Sequence, residues 1–176
     1  MEDKRIDKIR GIIRDVPDFP KPGIVFKDIT PILANPDAFE TCLDLFVEHF
    51  GKAKIDAILG IESRGFIFGA ALAAKLHKPF VPLRKPKKLP WKTFRAEYQL
   101  EYGTDAIEVH QDAIAKGASV LIVDDLLATG GTARAAIELV GKLQGKVVGA
   151  AFAIELLFLK GADKLRPVDA FSLVKY

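Results

Sequence analysis

Two adjacent aspartates, Asp124 and Asp125, stand between an apolar run, Val120-Leu121-Ile122-Val123, and a stretch of small residues, Ala128-Thr129-Gly130-Gly131-Thr132. The run is rich in β-branched residues, as a buried strand is, and the aspartates are expected to end it. Beyond the loop, Ala133, Ala136, Ile137, Val140 and Leu143 fall on one helical stripe. Strand, Gly/Thr loop and helix in that order make an anion site. The helix N-terminus offers unpaired N–H groups and a partial positive charge, and the glycines let the backbone come close. The two acids would repel a bare phosphate, so the ligand must also present hydroxyls or a cation. A phosphorylated sugar carrying Mg²⁺ meets both demands.

Two further stretches hold residue types suited to anions. Arg64 lies in the polar turn Glu62-Ser63-Arg64-Gly65, and Arg84, Lys85, Lys87, Lys88, Lys92 and Arg95 crowd around Pro86 and Pro90. An arginine at a strand-to-helix turn suits an anion site, although pairing with a surface carboxylate would account for it equally, and a basic run is ordinarily a solvated loop. Familiar phosphate motifs do not fit. A P-loop needs a lysine before its final hydroxyl residue, and Gly131-Thr132 has none; Gly130-Gly131 does not complete a dinucleotide fingerprint. A receiver-type acid pair belongs on the first strand of its fold, whereas this one follows three others.

The elements that would position these groups alternate. Ile6, Ile9, Ile12, Ile13 and Val16 predict an amphipathic helix over 3–16. Pro17, Pro20 and Pro22 then enforce an extended path in which Phe19, Ile24, Val25 and Phe26 are expected to wall the core. A second helix is expected over about 36–50 and ends at Gly51; Ile55 to Ile61 reads as a strand and Phe66 to Leu76 as a helix packed on a sheet. Phe80 to Leu83 is a third strand-like run, and 98–102 with 106–109 suggest a β-hairpin. A helical turn is expected at 110–115, a strand at 147–154, a short helix at 158–165 and a last strand at 168–174. This alternation predicts an α/β fold with a mostly parallel sheet and helices on both faces, and sites beyond the carboxyl ends of its strands. Glu62–Gly65, Arg84–Lys88 and Asp124–Thr132 would then share one edge.

Composition bounds the rest. The 176 residues suffice for one domain, and a net charge of +3 is too mild to argue for nucleic-acid binding. Cys42 is the single cysteine, set in a helical pattern, which suits a buried thiol in a reducing compartment. MEDKRIDKIR is too charged for a signal peptide and no run approaches membrane-spanning length, so a soluble cytoplasmic protein is the expectation.

The stretch VLIVDDLLATGGT resembles the phosphoribosyl-pyrophosphate signature of the type I phosphoribosyltransferases. DFPKPGIVFKDITPIL, GIESRGFIFG, RKPKKLP, LEYG and IELLFLKG are similar, in order and over essentially the whole chain, to segments of the adenine phosphoribosyltransferase family. The resemblance implies a single type I phosphoribosyltransferase domain over 1–176. It would have an N-terminal hood at about 1–34 and a flexible catalytic loop at about 91–109. It also implies transfer of the 5-phosphoribosyl group from phosphoribosyl pyrophosphate to adenine, giving AMP and pyrophosphate in purine salvage, with Mg²⁺ and as a homodimer. By that resemblance Ala128, Thr129, Gly130, Gly131 and Thr132 hold the 5′-phosphate and Asp124 and Asp125 the ribose hydroxyls, directly or through Mg²⁺. Arg64 and Lys88 hold pyrophosphate, while Arg84, Lys85 and Lys87 set the local field or face solvent. Backbone groups of Val25 and Lys27 read the adenine edge, Phe26 and Leu156 sandwich its ring, and Glu101 handles a proton at N7. Lys27 stands where some relatives carry arginine, and Trp91 where glycine is common. Transfer to another purine base is the alternative. A non-catalytic regulator that senses phosphoribosyl pyrophosphate would need a DNA-binding module or a large basic surface.

Overall fold

The computed structural model describes residues 3–100 and 103–176. Its centre is a five-stranded, all-parallel sheet: β3 (Ala57–Ile61), β4 (Phe80–Leu83), β7 (Ser119–Leu127), β8 (Lys146–Glu155) and β9 (Ala170–Lys175), in the order β4-β3-β7-β8-β9. The chain starts the sheet at β3, moves outward to β4, then crosses back to lay β7 on the other side. The strand order therefore reverses between β3 and β7, where open parallel sheets bind ligands.

Alternation of side chains along the buried strands feeds two cores. On one face, Leu121, Val123, Ala151 and Ala153 pack under α1 (Lys4–Ile12), α3 (Pro36–Phe50) and α4 (Gly65–Leu76), with Phe46 and Phe68 fully buried. On the other, Val120, Ile122, Ala150 and Phe152 pack under α5 (Gly131–Lys142) and an antiparallel hairpin, β5 (Thr93–Leu100) and β6 (Gly103–His110). The expected α/β architecture is the one observed. Cys42 is buried in the first core, and burial pushes its thiol up to about 12.

Several elements differ from the sequence expectation, each for a tertiary reason. The first helix stops at Ile12. Arg14–Pro17 is instead a strand, β1, paired antiparallel with β2 (Val25–Asp28), because the isoleucine stripe is spent by Ile13 and Pro17 disfavours helix at Val16. Phe19, Ile24 and Val25 do not wall the core: they are 50%, 42% and 51% exposed, the first two in the connection between β1 and β2 and Val25 at the start of β2. Asp124 and Asp125 do not end their strand. β7 runs on through them because Leu126 and Leu127 still find partners in Ile154 and Glu155. In place of the helical turn expected at 110–115, His110 ends β6 and 111–115 hold a turn and a bend, and 157–165 folds as two short 3-10 turns, Leu157–Leu159 and Gly161–Leu165, with a left-handed Lys160 between them.

Candidate active site

The carboxyl ends of β4, β3 and β7 come together as expected, and each carries a piece of one groove. Asp125 is 5% exposed, and its Oδ2 lies 2.9 Å from Nη2 of Arg64 in the turn after β3. Asp124 sits beside it and accepts a hydrogen bond from the Asp125 backbone N–H at 2.9 Å. The start of α4 is pressed against this carboxylate, since a Cβ on Gly65 would fall 2.7 Å from Asp124 Oδ1 and 2.8 Å from the Val123 carbonyl oxygen. Burial, and then the charge of Asp125, push Asp124 well above the usual carboxylate range. Burial raises Asp125 as well, with the Arg64 guanidinium opposing it. An acid pair kept this reluctant to carry full charge is poised for a ligand that brings hydroxyls or positive charge.

A cavity of about 340 Å³ opens over these groups, lined by Glu62, Ser63, Arg64, Lys85, Tyr98, Asp105, Asp124, Asp125, Ala128 and Thr132 among others. A second, of about 150 Å³, is formed by the loop from Asp124 to Ala133, including Thr129, Gly130 and Gly131. Asp124, Leu126, Ala128 and Thr132 line both, so the two are halves of one groove. Gly130 precedes α5 with φ of +75°, and no side chain caps the helix. Its first amides are thus left for a ligand, and the helix end favours an anion there.

The remaining sequence-derived candidates lie around this groove. Lys88 is exposed and lines neither cavity; its charge helps to hold Glu62 ionised, and its carbonyl accepts from Arg84 Nη1 at 3.2 Å. Phe26 approaches through Arg64, whose guanidinium carbon lies 5.2 Å from the ring centroid, so Arg64 touches both the β2 aromatic and the acid pair. Leu156, at the end of β8, donates its backbone N–H to Leu127 of β7 at 3.0 Å. Lys27 ion-pairs with Asp15 at 2.7 Å, and half-exposed Val25 stands two residues before it on the same strand. Glu101 lies outside the described residues.

Tyr98, Asp105 and Gly161 escaped the sequence reading, and Glu62 and Lys85 entered it only as members of the shared edge and the basic run. Glu62 accepts from the Lys85 backbone N–H at 2.8 Å and from Arg84 at 3.3 Å; these bonds outweigh the effect of burial and lower its pKa. Lys85 reaches into the cavity and pairs with Asp105, and Tyr98 Oη donates to the same carboxylate at 3.1 Å. Burial works against the charge on Asp105, but Lys85 and the Ala106 backbone N–H hold its pKa below the ordinary value. Gly161 supports the loop from beneath: a Cβ there would meet the Ala128 carbonyl oxygen at 2.2 Å and the Gly130 nitrogen at 2.9 Å. Asp105 reads in sequence as a turn former after Gly103-Thr104, and nothing local marks Gly161 as part of a loop thirty positions upstream.

Known proteins similar to this chain share its sequence pattern and fold over almost its whole length. The family model described as the phosphoribosyl transferase domain matches residues 28–174. The adenine phosphoribosyltransferase of Solibacter usitatus is 55% identical over 168 residues, covering 96% of this chain and 97% of that protein. The crystal structure of adenine phosphoribosyltransferase from Thermoanaerobacter pseudethanolicus superposes with a TM-score of 0.94 at 50% identity, over 97% of this chain and 99% of that one. The Saccharomyces cerevisiae enzyme, complexed with an imino-altritol bisphosphate and adenine, gives a TM-score of 0.92 at 44% identity, over 97% and 98% of the two chains. This chain belongs to the phosphoribosyltransferase family, and within it to the adenine phosphoribosyltransferases.

Proposed function

We propose that the chain transfers the 5-phosphoribosyl group of phosphoribosyl pyrophosphate to N9 of adenine, giving AMP and releasing pyrophosphate. One observation carries the reading: the pair of part-buried Asp124 and buried Asp125 lies between Arg64 and the uncapped start of α5. A sugar flanked by two anionic groups fits that order of cation, acids and helix terminus. Ala128, Thr129, Gly130, Gly131 and Thr132 cradle the 5′-phosphate, and Asp124 and Asp125 take the ribose hydroxyls. Displacement at the anomeric carbon builds positive charge on the ribose, which adjacent carboxylates stabilise. Arg64 and Lys88 neutralise the leaving pyrophosphate, with Lys85 lining the cavity beside Arg64.

Among the described residues no cluster of three or more His, Cys, Asp or Glu could hold a metal alone. The donor set therefore suits a Mg²⁺ held mainly by the substrate, with Asp124 or Asp125 as the protein's contribution; when bound, it would neutralise pyrophosphate oxygens. Backbone groups of Val25 and Lys27 read the adenine edge between Phe26 and Leu156. Glu101 relays the N7 proton, help typically worth roughly 10²–10⁴-fold. The hood (about 1–34) and the loop (about 91–109) screen the reacting sugar from water. Exposed Ile67 and Trp91 offer apolar surface to a second copy in a homodimer, and the buried free thiol of Cys42 supports a cytoplasmic setting.

The deciding experiment is turnover of adenine and phosphoribosyl pyrophosphate with Mg²⁺, with hypoxanthine, guanine and xanthine as competitors. AMP is the expected product. Its absence at micromolar enzyme sinks the proposal, and preference for another base reassigns the pocket. Glu101→Gln is expected to lower kcat more than it raises KM.

A further inference from the structure

Lys27 does more in this fold than lend its backbone to β2. Its ammonium lies 2.7 Å from Asp15 Oδ1, and Asp15 is its directly opposed partner in the β1–β2 pair. The same Nζ stands 3.8 Å from the centroid of the Tyr176 ring, and the lysine side chain is only 14% exposed. A lysine ordinarily keeps its ammonium in water and its stem free, so one held from two sides is a fixed strut. A desolvated cation over an aromatic face is held more strongly than an exposed one.

Tyr176 is itself fixed to the other wall. Its backbone N–H donates to the Glu155 carbonyl at 2.9 Å, and its carbonyl accepts from Leu157 N–H at 2.8 Å. These two bonds bracket Leu156. Lys27 and Tyr176 therefore join the strand carrying Val25, Phe26 and Lys27 to the segment carrying Leu156. An isolated two-stranded sheet is marginal by itself and takes its position from such ties. Another tie on this side, Phe26 to Arg64, depends on a guanidinium already engaged by Asp125.

We propose that the Lys27–Tyr176 contact, steadied by Asp15, sets the width of the slot that receives the base, which makes Lys27 and Tyr176 positioning residues for adenine. This rests on the proposed reaction. A flat ring needs its two walls at one spacing, so a lost strut loosens adenine and leaves the phosphate loop, the acid pair and the pyrophosphate cations in place. Arginine at position 27 keeps both the charge and the ring contact; methionine keeps the bulk and removes the charge.

The test is steady-state kinetics of the full chain and of Lys27→Met, Lys27→Arg and Tyr176→Leu, each with its thermal midpoint. Lys27→Met and Tyr176→Leu are expected to raise KM for adenine about tenfold, with KM for phosphoribosyl pyrophosphate and kcat within about twofold of the parent. Lys27→Arg, which keeps the charge, is expected to recover most of the adenine KM lost in Lys27→Met. Unchanged KM for adenine in Lys27→Met overturns the proposal. So does a parallel rise in both KM values with a lowered midpoint, which would make the contact a general brace. A parent chain that does not convert adenine refutes the proposed reaction, and this inference falls with it.

Discussion

Asp124 and Asp125 are held where burial disfavours their charge, and that has a measurable consequence at the residue scale. A carboxyl group whose pKa is higher folded than unfolded binds its proton more tightly in the native state. Its contribution to stability is then complete below the unfolded value, roughly pH 4, and is lost as pH rises through the folded value. Asp124 is raised by burial first and by Asp125 second, so at pH 7, where the carboxyl of the unfolded chain ionises freely, it costs the fold stability. Asp124→Asn, which retains an oxygen to accept the Asp125 N–H, is expected to raise the thermal midpoint at pH 7, to raise it less at pH 4, and to reduce turnover sharply. Melting curves at the two pH values check this, and a midpoint at pH 7 no higher than the parent's contradicts it. The acid pair and the glycine loop were visible in the sequence because they are neighbours along the chain. Glu62 with Arg84, and Lys85 with Asp105, are about twenty residues apart on different elements. No spacing rule joins them, and only the register of β3 with β4 and the hairpin brings them together.

At the scale of elements, what proved legible was whatever carried a long, one-sided apolar stripe. The helices α3, α4 and α5 and the buried strands lie close to where their periodicity puts them. The small β1–β2 sheet was harder. Arg14–Pro17 is four residues with no buried member, and its strand character comes from pairing with Val25–Asp28, not from its own pattern. The two 3-10 turns after β8 were equally hidden, since a left-handed Lys160 separates segments too short to show a period. Those turns bring Gly161 under the loop from Ala128 to Thr132. Gly161→Ala is expected to displace the Ala128 carbonyl and Gly130 amide and to raise KM for phosphoribosyl pyrophosphate about tenfold or more, with a stability loss of about 1–3 kcal/mol. Kinetics combined with thermal melts would read both effects. A fully active variant with an unchanged KM would show that the loop tolerates the extra carbon.

Taken whole, the molecule is a parallel sheet between two cores, with its groove at the crossing where strand order reverses. One core is roofed by three helices. The other is closed by α5 and by a hairpin that also lines the groove through Tyr98 and Asp105. A ligand that joins Arg64, Asp124, Asp125 and the start of α5 binds the native state and not the unfolded chain. At a hundred times its dissociation constant it stabilises by about 2.7 kcal/mol, which for a chain of this size is a midpoint shift of roughly 5–11 °C. Phosphoribosyl pyrophosphate with Mg²⁺ is expected to give a shift of that order, and adenine alone a smaller one. A melting curve indifferent to phosphoribosyl pyrophosphate would show that the native chain does not bind it.

The back-to-back glycines, Gly130 above and Gly161 below, also bear on portability. A transplant of the strand, acids, loop and helix into another scaffold would carry the visible signature without its floor, which comes from a later, unrelated-looking turn. In drift or in engineering neither glycine can acquire a side chain without a compensating backbone shift in the other's segment. The heritable unit is therefore a discontinuous pair of segments, and protein engineers who borrow it should move both.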